Sequence, residues 1–199
     1  SIPNLDVTKR ATDARGNSYP LRVRTNALGF RRFGDTTRTD RLRLLVLGDS
    51  FTQAVEVSDD KTYFAHLGNA LNADVFAYGC GGYGTTQEYL VLDQYVDRIQ
   101  PDAVLLQYCS NDFINNDYAL EMLSEGNNNA MRRPYLTPDG AITRRLPKKW
   151  LAGVRDFANC HSRLLFFVFT RIDRAATRRG GVSVEARIEA VAAGVRPDF

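Results

Sequence analysis

Three short clusters hold the residue types that acyl transfer uses: Gly48-Asp49-Ser50, the glycine-rich stretch Tyr78 to Gly84 (YGCGGYG), and Ser110-Asn111-Asp112. Such chemistry needs a nucleophile, a base, and hydrogen-bond donors aimed at the developing oxyanion. Ser50 supplies a hydroxyl. A glycine-rich turn presents backbone N–H groups with no side chain in the way. Asn111 adds an amide donor without adding charge. Gly, Asp and Ser are also ordinary turn residues, so the surrounding elements decide between chemistry and plain turns.

Those elements are favourable. The run LRLLVLG ends abruptly in Asp49-Ser50, as a strand buried on both faces would before a tight turn. The pattern predicts strands near 42–47, 74–78, 103–108 and 163–170, and helices near 61–72, 85–99, 149–159 and 182–194. Strands separated by helical segments imply crossovers and a parallel sheet, hence an α/β fold. Right-handed crossovers bring the turns after the first three strands to one edge, where ligands of open α/β sheets bind.

Residues 1–40 have weak periodicity and read as an extended N-terminal arm, with LRVRT (Leu21 to Thr25) alternating like a strand. Residues 41–199 form the main domain. It carries a long insertion at 113–146, in which PYLTPDGAIT has the turn chemistry of a small hairpin. A lid over the Ser50 edge and a surface loop are equally good readings of it.

The chain has 199 residues, 44% hydrophobic and 25% charged, which fits one soluble domain with a real core. A net charge of +3, with basic pairs such as Arg31-Arg32 and Lys148-Lys149 scattered, argues against nucleic acid as partner. No apolar run approaches the ~20 residues of a membrane span, and SIPNLDVTKR lacks a signal-peptide pattern, although a targeting segment upstream stays open. Cys80, Cys109 and Cys160 are odd in number and lack CxxC spacing, against both a disulfide framework and a zinc site. No metal and no cofactor are expected. Cys80 and Cys109 each follow a predicted strand, and free thiols are the simpler reading.

GDSFT at 48–52, the Gly82 turn and CSND at 109–112 resemble the first three sequence blocks of the SGNH (GDSL-type) hydrolases, and TNALGFR (Thr25 to Arg31) resembles a segment that precedes the first block in many bacterial members. The resemblance implies a flavodoxin-like three-layer sandwich with a central parallel sheet. Its members are mostly esterases, lipases, and carbohydrate deacetylases and acetyltransferases. It implies Ser50 as nucleophile, with the Ser50 N–H, the Gly82 N–H and the Asn111 side chain as oxyanion hole, and Asp49 and Asp112 bracing their turns. Cys109 stands where the family usually has glycine.

The family's last block, Asp-x-x-His, is missing. The sequence ends at Phe199, where the strand before that block would begin, so the base and the last strand are expected beyond it. Of the two histidines, His66 falls inside a predicted helix and His161 between a helix and the fourth strand, on the edge away from Ser50. The implied activity is that of a serine hydrolase or acyltransferase on an O-acyl, chiefly acetyl, ester of a small molecule or carbohydrate, with a periplasmic or secreted location favoured over cytoplasmic. Two alternatives stand beside it. One is a catalytically inactive carbohydrate-binding or scaffolding domain of the same fold. The other is a dinucleotide-binding protein, since Gly79, Gly81 and Gly84 spell G-x-G-x-x-G between a strand and a helix. For that fingerprint Asp102 has the acidic-residue spacing but precedes its strand, and Asp112 lies too far on.

Overall fold

The structure, a computed structural model, describes residues 3–13, 15–33, 39–123, 132–146 and 151–179. The chain divides into two compact units, Ser1–Asp112 and Phe113–Phe199.

In the first unit, β1 (Asp6–Thr12) and β2 (Ser18–Arg24) form an antiparallel hairpin, and β2 contains most of the strand expected in LRVRT. The short β3 (Arg31–Phe33) follows. Then come β4 (Leu42–Gly48), the one-turn α1 (Ser50–Gln53), α2 (Tyr63–Leu71), β5 (Ala73–Gly79), α3 (Thr85–Ile99) and β6 (Ala103–Gln107). The sheet order is β3-β5-β4-β6. β5, β4 and β6 are parallel and β3 adds to β5 in the antiparallel sense. The molecule is therefore α/β with a three-stranded parallel core.

Alternation along β4 sorts its side chains between two helices. Leu45 and Leu47 pack with Phe30, Phe76 and the α3 residues Val91 and Ile99. Leu44 and Val46 pack with Val75, Ala77 and Phe64 of α2. Every residue of β4 after Leu42 is buried, as expected of a central strand with helices on both faces. Among the described residues β6 is the border strand of this sheet, and its apolar residues are exposed, Val104 at 45% and Leu106 at 46%.

The boundary of the second unit falls inside α4 (Ser110–Asn116), and α5 (Tyr118–Leu123) follows. β7 (Arg133–Leu136) and β8 (Ile142–Arg145) pair as the expected hairpin, turning through Pro138-Asp139-Gly140 with Gly140 at φ +83°. Glu121 of α5 is buried against Arg133 and accepts a hydrogen bond from the Tyr135 hydroxyl. α6 (Ala152–His161) and α7 (Arg163–Arg179) complete the unit.

The fourth strand is a correction. Residues 163–170 belong to α7, and the described residues hold no fourth parallel strand. A short apolar run such as LLFFVF does not distinguish strand from helix by periodicity. The strong helix formers that continue it through Ala175-Ala176 and its arginines carry one helix to Arg179. The helix expected at 182–194 lies outside the described residues.

Candidate active site

The parallel register sets three turns side by side. Gly48 pairs with Gly79 on one neighbour and with Gln107 on the other. Ser50 comes two residues after Gly48, Gly82 three after Gly79, and Asn111 four after Gln107. Adjacent strands lie about 4.8 Å apart, so the three turns leave one edge of the sheet at one level. Ser50 opens α1 and is exposed. Gly82 is half-buried at φ +80°, a conformation that favours glycine. Asn111 is half-buried in the first turn of α4.

The Ser50 turn is held from several sides. Asp49 is fully buried, and its Oδ1 accepts a hydrogen bond from the Phe51 N–H at 2.9 Å. Thr52 donates to Gln107 Oε1 at 3.0 Å and shares a 2.7 Å hydrogen bond with the Tyr63 hydroxyl. The turn closes on Ala54, at φ +47°. Arg31, also buried, donates from Nη1 to the carbonyls of Gln53 and Ala54 at 3.0 and 2.9 Å and from Nη2 to that of Val57 at 3.0 Å. Asp59 pairs with its guanidinium at 2.9 Å. A Cβ on Gly79 would lie 2.2 Å from the Gln53 nitrogen and 2.5 Å from the Asp49 carbonyl oxygen. Strand β5 thus approaches the turn backbone to backbone.

One side chain ties the Ser50 turn to the glycine-rich turn. Gln53 Oε1 accepts a hydrogen bond from the Gly81 N–H at 3.0 Å. The Asn111 turn has a simpler brace: the buried Asp112 accepts the Cys109 N–H on Oδ2 at 2.8 Å. Burial pushes the Asp112 carboxyl above the ordinary aspartate range, against the pull of the Cys109 N–H, and the charge of Asp49 adds to the rise.

Behind both turns sits Glu88, in the first turns of α3 and 1% exposed. Burial first, then the negative charges of Asp112 and Asp49, push it up to about 8. Burial also raises the Tyr63 hydroxyl, as do the charges of Asp49 and Glu88.

Three residues here escape the sequence reading: Arg31, Gln53 and Glu88. Glu88 had a signal, because it stands on the apolar stripe of α3 with Val91, Leu92, Tyr95 and Ile99, at i, i+3, i+4, i+7 and i+11. Arg31 closes the TNALGFR segment but carries no pattern of its own. The bracing expected of Asp49 and Asp112 is what their hydrogen bonds do.

The glycines of the G-x-G-x-x-G are engaged with the Ser50 turn. Gly79 makes the backbone approach, Gly81 donates to Gln53, and Gly84 caps α3, where its N–H donates to Gln87 Oε1 at 3.1 Å. Asp102 accepts the Arg43 N–H at 2.7 Å at the start of β6, the far edge from these turns.

His66 is exposed on α2. His161 ends α6, with a helix rather than a strand after it; its Nδ1 lies 2.8 Å from the Phe157 carbonyl and its ring stacks on Phe157 at 4.1 Å. Cys80, Cys109 and Cys160 are free thiols. Among the described residues no group of three or more His, Cys, Asp or Glu is set to hold a metal ion. Compared with family models, curated proteins and solved structures, the chain finds no match. The SGNH likeness rests on the sequence motifs.

Proposed function

We propose that the chain is a serine hydrolase or acyltransferase domain acting on O-acyl esters of a small molecule or carbohydrate. The observation that carries it is the register of β5, β4 and β6, which seats the Ser50, Gly82 and Asn111 turns next to one another at the carboxyl edge of the sheet. In this reading Ser50 Oγ attacks the ester carbonyl. The Ser50 and Gly82 N–H groups and the Asn111 amide stabilise the tetrahedral oxyanion. Asp49, Gln53 and Arg31 fix the turn that presents the hydroxyl. A flavodoxin-like arrangement is the finer form of the fold that this reading carries.

A serine hydroxyl needs a base to take its proton, and the proposal assigns that role to neither His66 nor His161. Within the first unit the one histidine, His66, stands exposed on α2, which favours, as a second reading, an inactive binding domain of the same architecture. A fluorophosphonate probe on the natural full-length protein separates the two: it labels Ser50 if the domain is an enzyme and nothing if it only binds. Removing one oxyanion donor typically costs ~10²–10³ in rate, so Asn111→Ala should slow turnover by about that factor with the fold intact. An unchanged rate removes Asn111 from the hole.

A further inference from the structure

Glu88 is the least accommodated polar side chain of the first unit. It is 1% exposed, stands among the apolar residues of α3, and neither of its carboxylate oxygens has a hydrogen-bond partner. The two acidic groups that act on it most are Asp49 and Asp112. Each of these holds one turn of the site with one oxygen, through the Phe51 N–H and the Cys109 N–H, and leaves the other oxygen, Asp49 Oδ2 and Asp112 Oδ1, buried and unpartnered. The Tyr63 hydroxyl, bonded to Thr52, is the further titratable group that senses Glu88. Among the described residues no cation counts among the influences on Glu88.

Three buried carboxyl groups at one place do not all ionise together, because each added charge is disfavoured by burial and by the others. Asp49 and Asp112 each accept one backbone N–H, whereas neither oxygen of Glu88 has a donor. The proton therefore resides on Glu88.

We propose that Glu88 is a positioning residue that sets the pH range of the site: uncharged, it lets Asp49 and Asp112 hold the Ser50 and Asn111 turns, and ionised, it sets a third buried negative charge behind them and loosens both. Ionisation releases one proton to solvent and forms no bond. That the turns serve acyl transfer rests on the function proposed above; the coupling of the turns to Glu88 does not.

The experiment follows carboxyl and backbone amide NMR resonances of the natural full-length protein against pH, alongside the rate of fluorophosphonate labelling at Ser50. The Glu88 carboxyl should titrate with a midpoint near 8. The amides of Phe51 and Cys109, which report on the two aspartate braces, should move with that midpoint. Labelling should slow above it by tenfold or more. In Glu88→Gln the same amides should stay still across this range and labelling should lose its alkaline decline, and Glu88→Ala, which also lacks the carboxyl, should show neither pH response. A Glu88 that titrates in the ordinary glutamate range overturns the proposal. So do amide shifts that survive in Glu88→Gln. If Ser50 is never labelled while the amides follow Glu88, the enzymatic reading fails and the coupling stands. Should Glu88→Gln fail to fold, the wild-type carboxyl and Phe51 midpoints decide the matter by agreeing or differing.

Discussion

The turn that carries Ser50 and the turn that carries Asn111 leave neighbouring strands at the same level, yet they are built to different standards. The Ser50 turn is capped by Asp49, clamped from outside by Arg31, pinned through Thr52 to Gln107 and Tyr63, and pressed against the backbone of Gly79. The Asn111 turn shows, among the described residues, the Asp112 carboxylate on the Cys109 N–H. Among the described residues its strand, β6, has one neighbour, whereas β4 has two. The difference teaches where precision is needed. On the proposed function the contrast has a reason: a nucleophile at Ser50 would have to sit within a fraction of an ångström of its line of attack, whereas a side-chain donor at Asn111 would have its own rotamers with which to follow the oxyanion.

The largest test of that contrast is pH, since Glu88 sits behind both turns. Folded Glu88 holds its proton far above the ordinary 4.5, to about 8. The folded chain therefore binds more protons than the unfolded one between those values, and stability falls as pH rises through them. The contribution is full below about 4.5 and gone above about 8, each pH unit between being worth about 1.4 kcal/mol. Thermal unfolding in steps from pH 5 to 9 should show the fall, and Glu88→Gln should flatten it; a slope equal in both proteins removes Glu88 as its source.

Next comes Arg31→Met, which strands Asp59 in the interior and three carbonyls without their donor. A buried charge left without its partner costs about 3–5 kcal/mol, and the second ion pair of Asp59, with Arg24 at 2.9 Å, keeps the loss near the lower end. Denaturant unfolding measures it; a loss below about 1 kcal/mol means that the clamp is ornamental. Gly79→Ala puts a methyl into backbone that has no flexible end to yield, and overpacking of this kind costs about 1–3 kcal/mol. Its sharper readout is Ser50 labelling, which should fall further than stability does.

The smallest effects test the lighter bonds. Gln53→Ala removes one neutral hydrogen bond to a half-exposed loop, about 0.5–1.5 kcal/mol, and should broaden the Gly81 amide resonance while leaving that of Cys109 alone. If both resonances change equally, the two turns are one unit and the contrast between them collapses.

The sequence made the strand–turn–helix frame legible because each signal was local. A glycine ends each of β4 and β5 where the chain turns, and the apolar stripes of α2 and α3 have helical spacing. What escaped was long-range. Arg31 reaches its carbonyls across 22 to 26 residues, and no pattern within a segment announces such a contact. β3 is three residues long and makes sense only beside β5. Residues 163–170 failed for a different reason: an apolar run takes the period of whatever continues it, and here a helix does. Glu88 was readable as a charged residue on an apolar stripe, but its meaning depends on Asp49 and Asp112, one on each neighbouring turn.

Among the described residues β6 has no strand on its outer flank, which has a practical consequence for handling the 199-residue chain. A strand at the border of a sheet offers a row of backbone donors and acceptors to any second chain, and here that row lies beside exposed Val104, Leu105 and Leu106. Samples concentrated for spectroscopy should therefore self-associate edge to edge, and sedimentation should slow to that of single particles on dilution. Val104→Lys, a charge on the border strand far along the chain from Ser50, should raise the usable concentration and leave labelling as it was.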